Sequence, residues 1–277
     1  MIITKDFVVL NLPKTGSTFT RNVLKTLYKV DKRSIFEKAL YKFHIVTPKF
    51  QELILPNIKM PNRRPDQHGT YSQIPQQYLN RVIVSTIRDP YSRFLSTYKF
   101  KAWANPNQLE VPKSILDVHF PSFPDLNMDD YVDLNKHAEK IRINTIDEAL
   151  NNLDIGTQTI QFVQMFFKDP KVALSKLNDD YINSGAFKAD MGEMKFLRQE
   201  HLNDDLIQFL LNHGFDKSDI DFINHKKKLN ITDYNVDDVN KLWTQKGIDY
   251  VSYRERYLLQ MLNHFGVTYK APKLQNL

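Results

Sequence analysis

The sequence predicts an α/β fold, a mainly parallel sheet flanked by helices, on two strand–turn–helix patterns and an ordinary globular composition. "DFVVLNL" (6–12) is a short Val/Phe/Leu run that reads as a buried strand, and an amphipathic helix follows it. "RVIVSTI" (81–87) is a second β-branched run, expected to be a buried parallel strand with its own helix after it. The chain has 277 residues, 42% hydrophobic and 25% charged, which is ample for a sizeable core.

Between the first strand and its helix lies "LPKTGST" (12–18). Its first five letters match a sortase sorting signal, but such a signal precedes an apolar membrane segment. Here "FTRNVLKTLYKVDKR" follows, which alternates apolar and basic residues and could not span a bilayer. In the helix Phe19, Val23, Leu24 and Leu27 share one face. Ser17 or Thr18 is expected to cap the helix start, and Gly16 to let the backbone turn with its amides inward. A helix N-terminus with Lys14 beside it is suited to an anion. The loop differs from the NTPase pattern G-x-x-x-x-G-K-[ST], because Lys14 precedes Gly16 and no glycine lies upstream of it.

The second strand runs into "RDPYSRFLSTYKF" (88–100). Asp89 followed by Pro90 predicts a capped helix start, and Tyr91, Phe94, Leu95 and Tyr98 its buried face. Arg88 then stands at the carboxyl end of a strand, where open α/β sheets place ligands, and a guanidinium fork matches a phosphate. The alternative for Arg88 is a surface arginine paired with Asp89.

Together the two motifs resemble the PAPS-dependent sulfotransferases, PAPS being 3'-phosphoadenosine 5'-phosphosulfate. The family pattern of a strand followed by PK-x-G-[ST]-[ST] is matched by Pro13, Lys14, Thr15, Gly16, Ser17 and Thr18. The pattern R-[DN]-P-x-x-R, with a serine eight residues after the first arginine, is matched by Arg88, Asp89, Pro90, Arg93 and Ser96. The resemblance implies that the first loop binds the 5'-phosphosulfate, while Arg88 and Ser96 bind the 3'-phosphate. A fainter likeness lies in "MKFLRQEHLNDDL" (194–206), similar to the family's strand followed by E-x-L-x-x-D, with Glu200, Leu202 and Asp205. "YRERYLLQMLNHFGVTY" resembles its closing helix. The fold implied is P-loop NTPase-like, a single domain over 1–277 with 101–190 as an acceptor-side insertion.

Sulfuryl transfer requires a cation at the departing phosphate oxygen, a base for the acceptor hydroxyl and a cleft that aligns the two. Lys14 is the expected cation. The heparan 2-O-like carbohydrate enzymes, which with their bacterial relatives the sequence most resembles, keep a base histidine in an HG-containing segment upstream of the second motif. His68, with Gly69 beside it, matches that position, although Thr70 stands where a second histidine is often found. Histidine suits the role because its ordinary pKa is near neutral; Asp66 is the alternative. The basic run "NHKKKLN" (224–230) is either a solvated turn or a segment closing over the 3'-phosphate, with Lys227 and Lys228 as candidates.

Other features narrow the classes. The chain has no cysteine, which excludes disulfides and thiolate chemistry. A net charge of +6 suits an anionic ligand without demanding nucleic acid. "DLNMDDYVD" (125–133) begins like a calcium loop, but Asp130 and Lys136 occupy the positions of its glycine and glutamate, so a helix start is expected. No metal is expected. Trp103, Phe120 and Phe123 could pack or stack on a sugar. With no apolar leader or spanning stretch, a cytoplasmic protein without membrane or nucleic-acid partners is expected. The expected activity is therefore transfer of a sulfuryl group from PAPS to an acceptor hydroxyl, a carbohydrate being favoured, with PAP as product. The alternatives are a P-loop kinase-like phosphotransferase and a non-catalytic polyanion-binding protein.

Overall fold

The computed structural model describes residues 1–43, 45–58, 63–105, 110–226 and 241–274. In chain order the elements begin β1 (Ile2–Thr4), β2 (Phe7–Leu10), α1 (Ser17–Leu27), α2 (Ile35–Lys42), β3 (Phe50–Glu52) and β4 (Val82–Ile87). There follow α3 (Pro90–Phe100), α4 (Lys113–His119), α5 (Met128–Ile146), α6 (Thr157–Phe166), α7 (Pro170–Ser175), α8 (Asp179–Asn183) and α9 (Phe187–Asp190). The last are β5 (Met194–Arg198), α10 (Leu202–Leu211), α11 (Lys217–Ile220), α12 (Phe222–His225), α13 (Gln245–Arg254) and α14 (Arg256–Asn263). The chain divides into two compact units. The first comprises Met1–Asn57, Pro61–Arg88 and Gly192–Ile231; the second comprises Ile58–Met60, Asp89–Met191 and Thr232–Leu277.

The first unit holds one sheet in the order β3-β1-β2-β4-β5. β2 pairs parallel with β4, and β4 with β5, whereas β1 pairs antiparallel with both β2 and β3. The sheet is thus mixed, a correction to the mainly parallel one expected. The physical reason is local: Thr4 accepts from the amides of Asp6 and Phe7 and turns the chain tightly, so β1 can only return antiparallel on β2. The expected strands are present as β2 and β4, joined by long crossovers as parallel pairs require. Phe7, Val9, Phe19, Val23, Leu24, Val84, Leu197, Leu206 and Phe209 form the core that α1 and α10 share with the sheet. Each such side chain contributes about 1.5–3 kcal/mol on burial.

The second unit is helical. Tyr91, Phe94 and Leu95 of α3 pack with Met128, Tyr131 and Val132 of α5 and with Trp243, Tyr250 and Val251. The stretch that begins like a calcium loop is the start of α5: Asn127 caps it, with Asp130 completing a capping box. Trp103 stacks near Tyr98 and touches Tyr131 and Phe123, so these aromatics serve packing within this unit. The region that resembles one closing helix is two, α13 and α14, meeting at Glu255.

Candidate active site

The loop after β2 is shaped by two left-handed residues. Lys14 has φ 65° and Gly16 φ 90°. A non-glycine residue in that region is uncommon and is found most often where function fixes the backbone. Gly16 is also the cap of α1, with no side-chain capping bond. This corrects the expectation that Ser17 or Thr18 caps the helix. The turn is completed one residue earlier, so both lie inside the first helical turn. Their amides head α1, where no intrahelical acceptor exists, while the Gly16 carbonyl already accepts from Phe19 and Thr20. Gly16 is required for a second reason: a Cβ there would stand 2.7 Å from Leu202 Cδ2. The leucine of the E-x-L-x-x-D stretch thus packs onto the loop. Asp205 accepts from Arg198 Nε, Nη2 and the backbone amide at 2.7–2.9 Å, holding the turn from β5 into α10. Glu200 is exposed.

Thr15 is fully buried. Its hydroxyl donates to Leu12 O at 2.8 Å and lies 2.6 Å from Thr86 Oγ1, so Thr86 is the donor of that second bond. The Thr15 side chain therefore ties the loop to β4, and any contact it makes to an anion comes from its backbone. Neighbouring Ser85 donates to Leu10 O at 2.7 Å, a second bond between the ends of the same two strands. Sequence reasoning missed Thr86. The signal was present, since "ST" interrupts an otherwise apolar buried strand.

Arg88, the first residue after β4, turns back to the loop and places Nη1 3.4 Å from Lys14 O. Lys14 and Arg88 thus belong to the ends of adjacent parallel strands, joined there by a bond to backbone. Burial pushes the Lys14 ammonium down to about 8, and the Arg88 charge adds to the shift.

His68 is half-buried, and its Nδ1 lies 2.6 Å from Asn11 O. A carbonyl only accepts, so Nδ1 carries a proton, and in the neutral ring the lone pair is on Nε2. Asn11 follows β2 directly, which holds the imidazole at the root of the loop that carries Lys14. Asp66 shapes this segment: Oδ1 accepts from the His68 amide at 2.6 Å and Oδ2 from Asn57 Nδ2 at 2.9 Å. Gly69 is needed for packing, since a Cβ there would lie 2.6 Å from Leu55 Cδ1. Asn11 is the other residue that sequence reasoning missed. It is buried, donates to Gln67 O at 3.3 Å, and leaves its Oδ1 without a hydrogen bond.

The remaining candidates lie in the second unit or outside the described residues. Asp89 caps α3, accepting from Tyr91 N and Ser92 N, so the expected Asp-Pro helix start is present. Ser96 sits half-buried, two turns into α3. Arg93, the second arginine of the motif, is buried and donates to Gln158 and Gln161 of α6, which makes it a packing residue of that unit. Lys227 and Lys228 fall outside the described residues. Among the described residues, no group of three or more His, Cys, Asp or Glu is placed to hold a metal ion.

No curated protein and no solved structure matches the chain. The model of the Sulfotransferase family matches residues 2–162, more than half of the chain. The matched stretch includes both motifs, His68 and the strands that carry them, and it continues well past residue 101. With that match and the loop geometry together, the chain belongs to the sulfotransferase family.

Proposed function

We propose that the protein transfers a sulfuryl group from PAPS to a hydroxyl of an acceptor, of which a carbohydrate is the class best supported. The observation that carries this reading is the Arg88 guanidinium bonded to the Lys14 backbone carbonyl, with its charge acting on the Lys14 ammonium, at the N-terminal end of α1. Burial and that like charge both disfavour the charged form of Lys14. An anion with several phosphate or sulfate oxygens offsets that cost, and the α1 amides and positive dipole end add to its binding. The donor supplies an activated sulfuryl group on a phosphate leaving group. Lys14 stabilises the charge that develops on the departing oxygen. Gly16, Ser17 and Thr18, with the Thr15 backbone, hold the 5' end. Arg88 and Ser96 hold the 3'-phosphate, as the family resemblance implies, and Lys227 and Lys228 are proposed to assist there.

His68 accepts the hydroxyl proton through Nε2, since its Nδ1–H is directed to Asn11 O. Asp66 is the weaker candidate, because both its oxygens hold the backbone and side chain of this segment. The heparan 2-O-like kinship rests on the His68–Gly69 pair, and the P-loop NTPase-like kinship on the strand–loop–helix unit. In this reading the whole chain acts as one sulfotransferase domain, with 101–190 on the acceptor side.

The test is an acceptor screen with radiolabelled PAPS against glycans, phenols and peptides, alongside thermal shifts with PAP and with ATP plus magnesium. Label on glycans and stabilisation by PAP alone are expected. Stabilisation by ATP with magnesium but not PAP overturns the reading in favour of a phosphotransferase. Salt-dependent heparin or RNA binding without turnover points instead to a non-catalytic polyanion binder. His68→Ala is expected to lower turnover by roughly a hundred to ten thousandfold and to remove the rise of activity with pH, leaving PAP binding intact. If Asp66→Asn loses the rate and His68→Ala keeps it, the base is the aspartate.

A further inference from the structure

α2 is amphipathic, and its apolar side faces water. Ile35, Ala39 and Phe43 recur four apart with Phe36 and Leu40 beside them, so a single stripe holds all five. A helix serving the core would bury that stripe. Instead Ile35 is 88% exposed, Phe36 71% and Phe43 70%, while Ala39 and Leu40 are half-buried. The chain that follows continues the surface with Ile45 at 67% and Val46 at 46%. The core cluster built on α1, α10 and the sheet contains no residue of α2.

The helix is nevertheless well defined at its start. Ser34 accepts from the Glu37 amide at 3.1 Å and Glu37 accepts from the Ser34 amide at 2.8 Å, a complete capping box. Arg33 donates to Phe50 O at 3.0 Å and lies over the Tyr41 ring. Exposed apolar surface on an anchored helix marks an interaction face.

Charge indicates what covers it. The sequence from 29 to 49 carries Lys29, Lys32, Arg33, Lys38, Lys42 and Lys49 against Asp31 and Glu37 only. Lys29, Lys32 and Lys49 are exposed. Ile, Phe and Val side chains enter the headgroup–acyl boundary of an anionic bilayer while exposed lysines such as Lys29, Lys32 and Lys49 stay at phosphate level. A lipid surface requires no matching relief, so a short apolar stripe in a basic frame is sufficient for it. Among the described residues no helix is long and apolar enough to cross a membrane, so the contact is peripheral.

We propose that residues 35–43, with Ile45 and Val46, form a docking face for the surface of an anionic phospholipid bilayer. This goes against the expectation of no membrane partner and is independent of the sulfotransferase reading. The test is co-sedimentation of the full chain with vesicles of phosphatidylcholine alone and of phosphatidylcholine with phosphatidylserine. Binding to the second, weakened by salt, is expected. Ile35→Ser/Phe36→Ser/Phe43→Ser should lower partition by roughly tenfold or more, and Lys29→Glu/Lys32→Glu by roughly fivefold or more per charge. Both variants should keep the native circular dichroism spectrum, since these side chains are exposed. Failure to sediment with either vesicle overturns the proposal, as does equal partition of the native chain and the triple serine variant. A concentration-dependent dimer that the triple serine variant abolishes, with no vesicle binding, assigns the face to a second copy instead.

Discussion

Among the described residues two helices start just after a glycine, and their first turns are treated in opposite ways. α6 follows Gly156, and its N-terminus is filled from within the chain. The buried Glu255 carboxylate accepts from Gln158 N at 3.0 Å and from Thr159 N and Oγ1 at 2.7 Å each. Burial pushes the Glu255 carboxyl up, while these donors oppose the shift. Gly156 is required because a Cβ would collide with that carboxylate. α1 follows Gly16 and has no acidic residue in its first turn and no side-chain cap. It is flanked by Lys14 and, across the sheet, by Arg88. An N-terminus filled by an internal anion is a structural joint; one flanked by cations is, in the proposed function, left to an anion from outside.

The comparison is tested most strongly at Lys14. Lys14→Ala should lower turnover on saturating donor by about a hundredfold or more, the size of a lost oxyanion-stabilising donor. Its unfolding midpoint in urea should not fall, because the ammonium is already disfavoured at its site. Near-normal turnover rules the role out. The opposite pattern is expected of Glu255→Ala. The loss of three bonds to a buried carboxylate should reduce stability by about 2–3 kcal/mol in urea denaturation; a change below 1 kcal/mol would mean water replaces the carboxylate easily.

Smaller effects sharpen the same contrast. Gly16→Ala meets both an unfavourable φ and the Leu202 methyl, and should cost about 1–2 kcal/mol. Adding Leu202→Ala removes the steric part only, so full rescue by the double variant would show that the backbone is not strained. The smallest effect is in pH. Lys14 is held to about 8, so it is charged below that value and neutral above it. PAP affinity should therefore weaken by at most about tenfold between pH 7 and 9, with proton uptake seen by calorimetry at the upper end. Lys14→Ala should abolish this dependence. A pH-independent affinity in the native chain would separate Lys14 from the anion site.

What was legible in the sequence was local. The run of Val and Leu before "PKTGST", and the Asp-Pro pair after "RVIVSTI", gave the strands and helices that flank the site because each signal lies within a few residues. The side chains that fix the site were harder to read, because their partners are distant in sequence. Thr15 meets Thr86 across 71 positions and His68 meets Asn11 across 57. Arg93 shows what pattern alone leaves open: the motif match gives it no role, and only the fold shows its guanidinium donating to two glutamines of α6. The antiparallel β1 and β3 were missed because three-residue strands carry almost no periodicity.

The brevity of those strands matters beyond the site. The sheet ends on one side at β3, three residues long, and on the other at β5, five residues long, with its second residue Lys195 exposed. Open backbone at a sheet margin invites another chain to add itself, and a short margin bearing a lysine resists this. Lys195 and Arg198 place two positive charges within this five-residue strand, which disfavours pairing of one such margin with another.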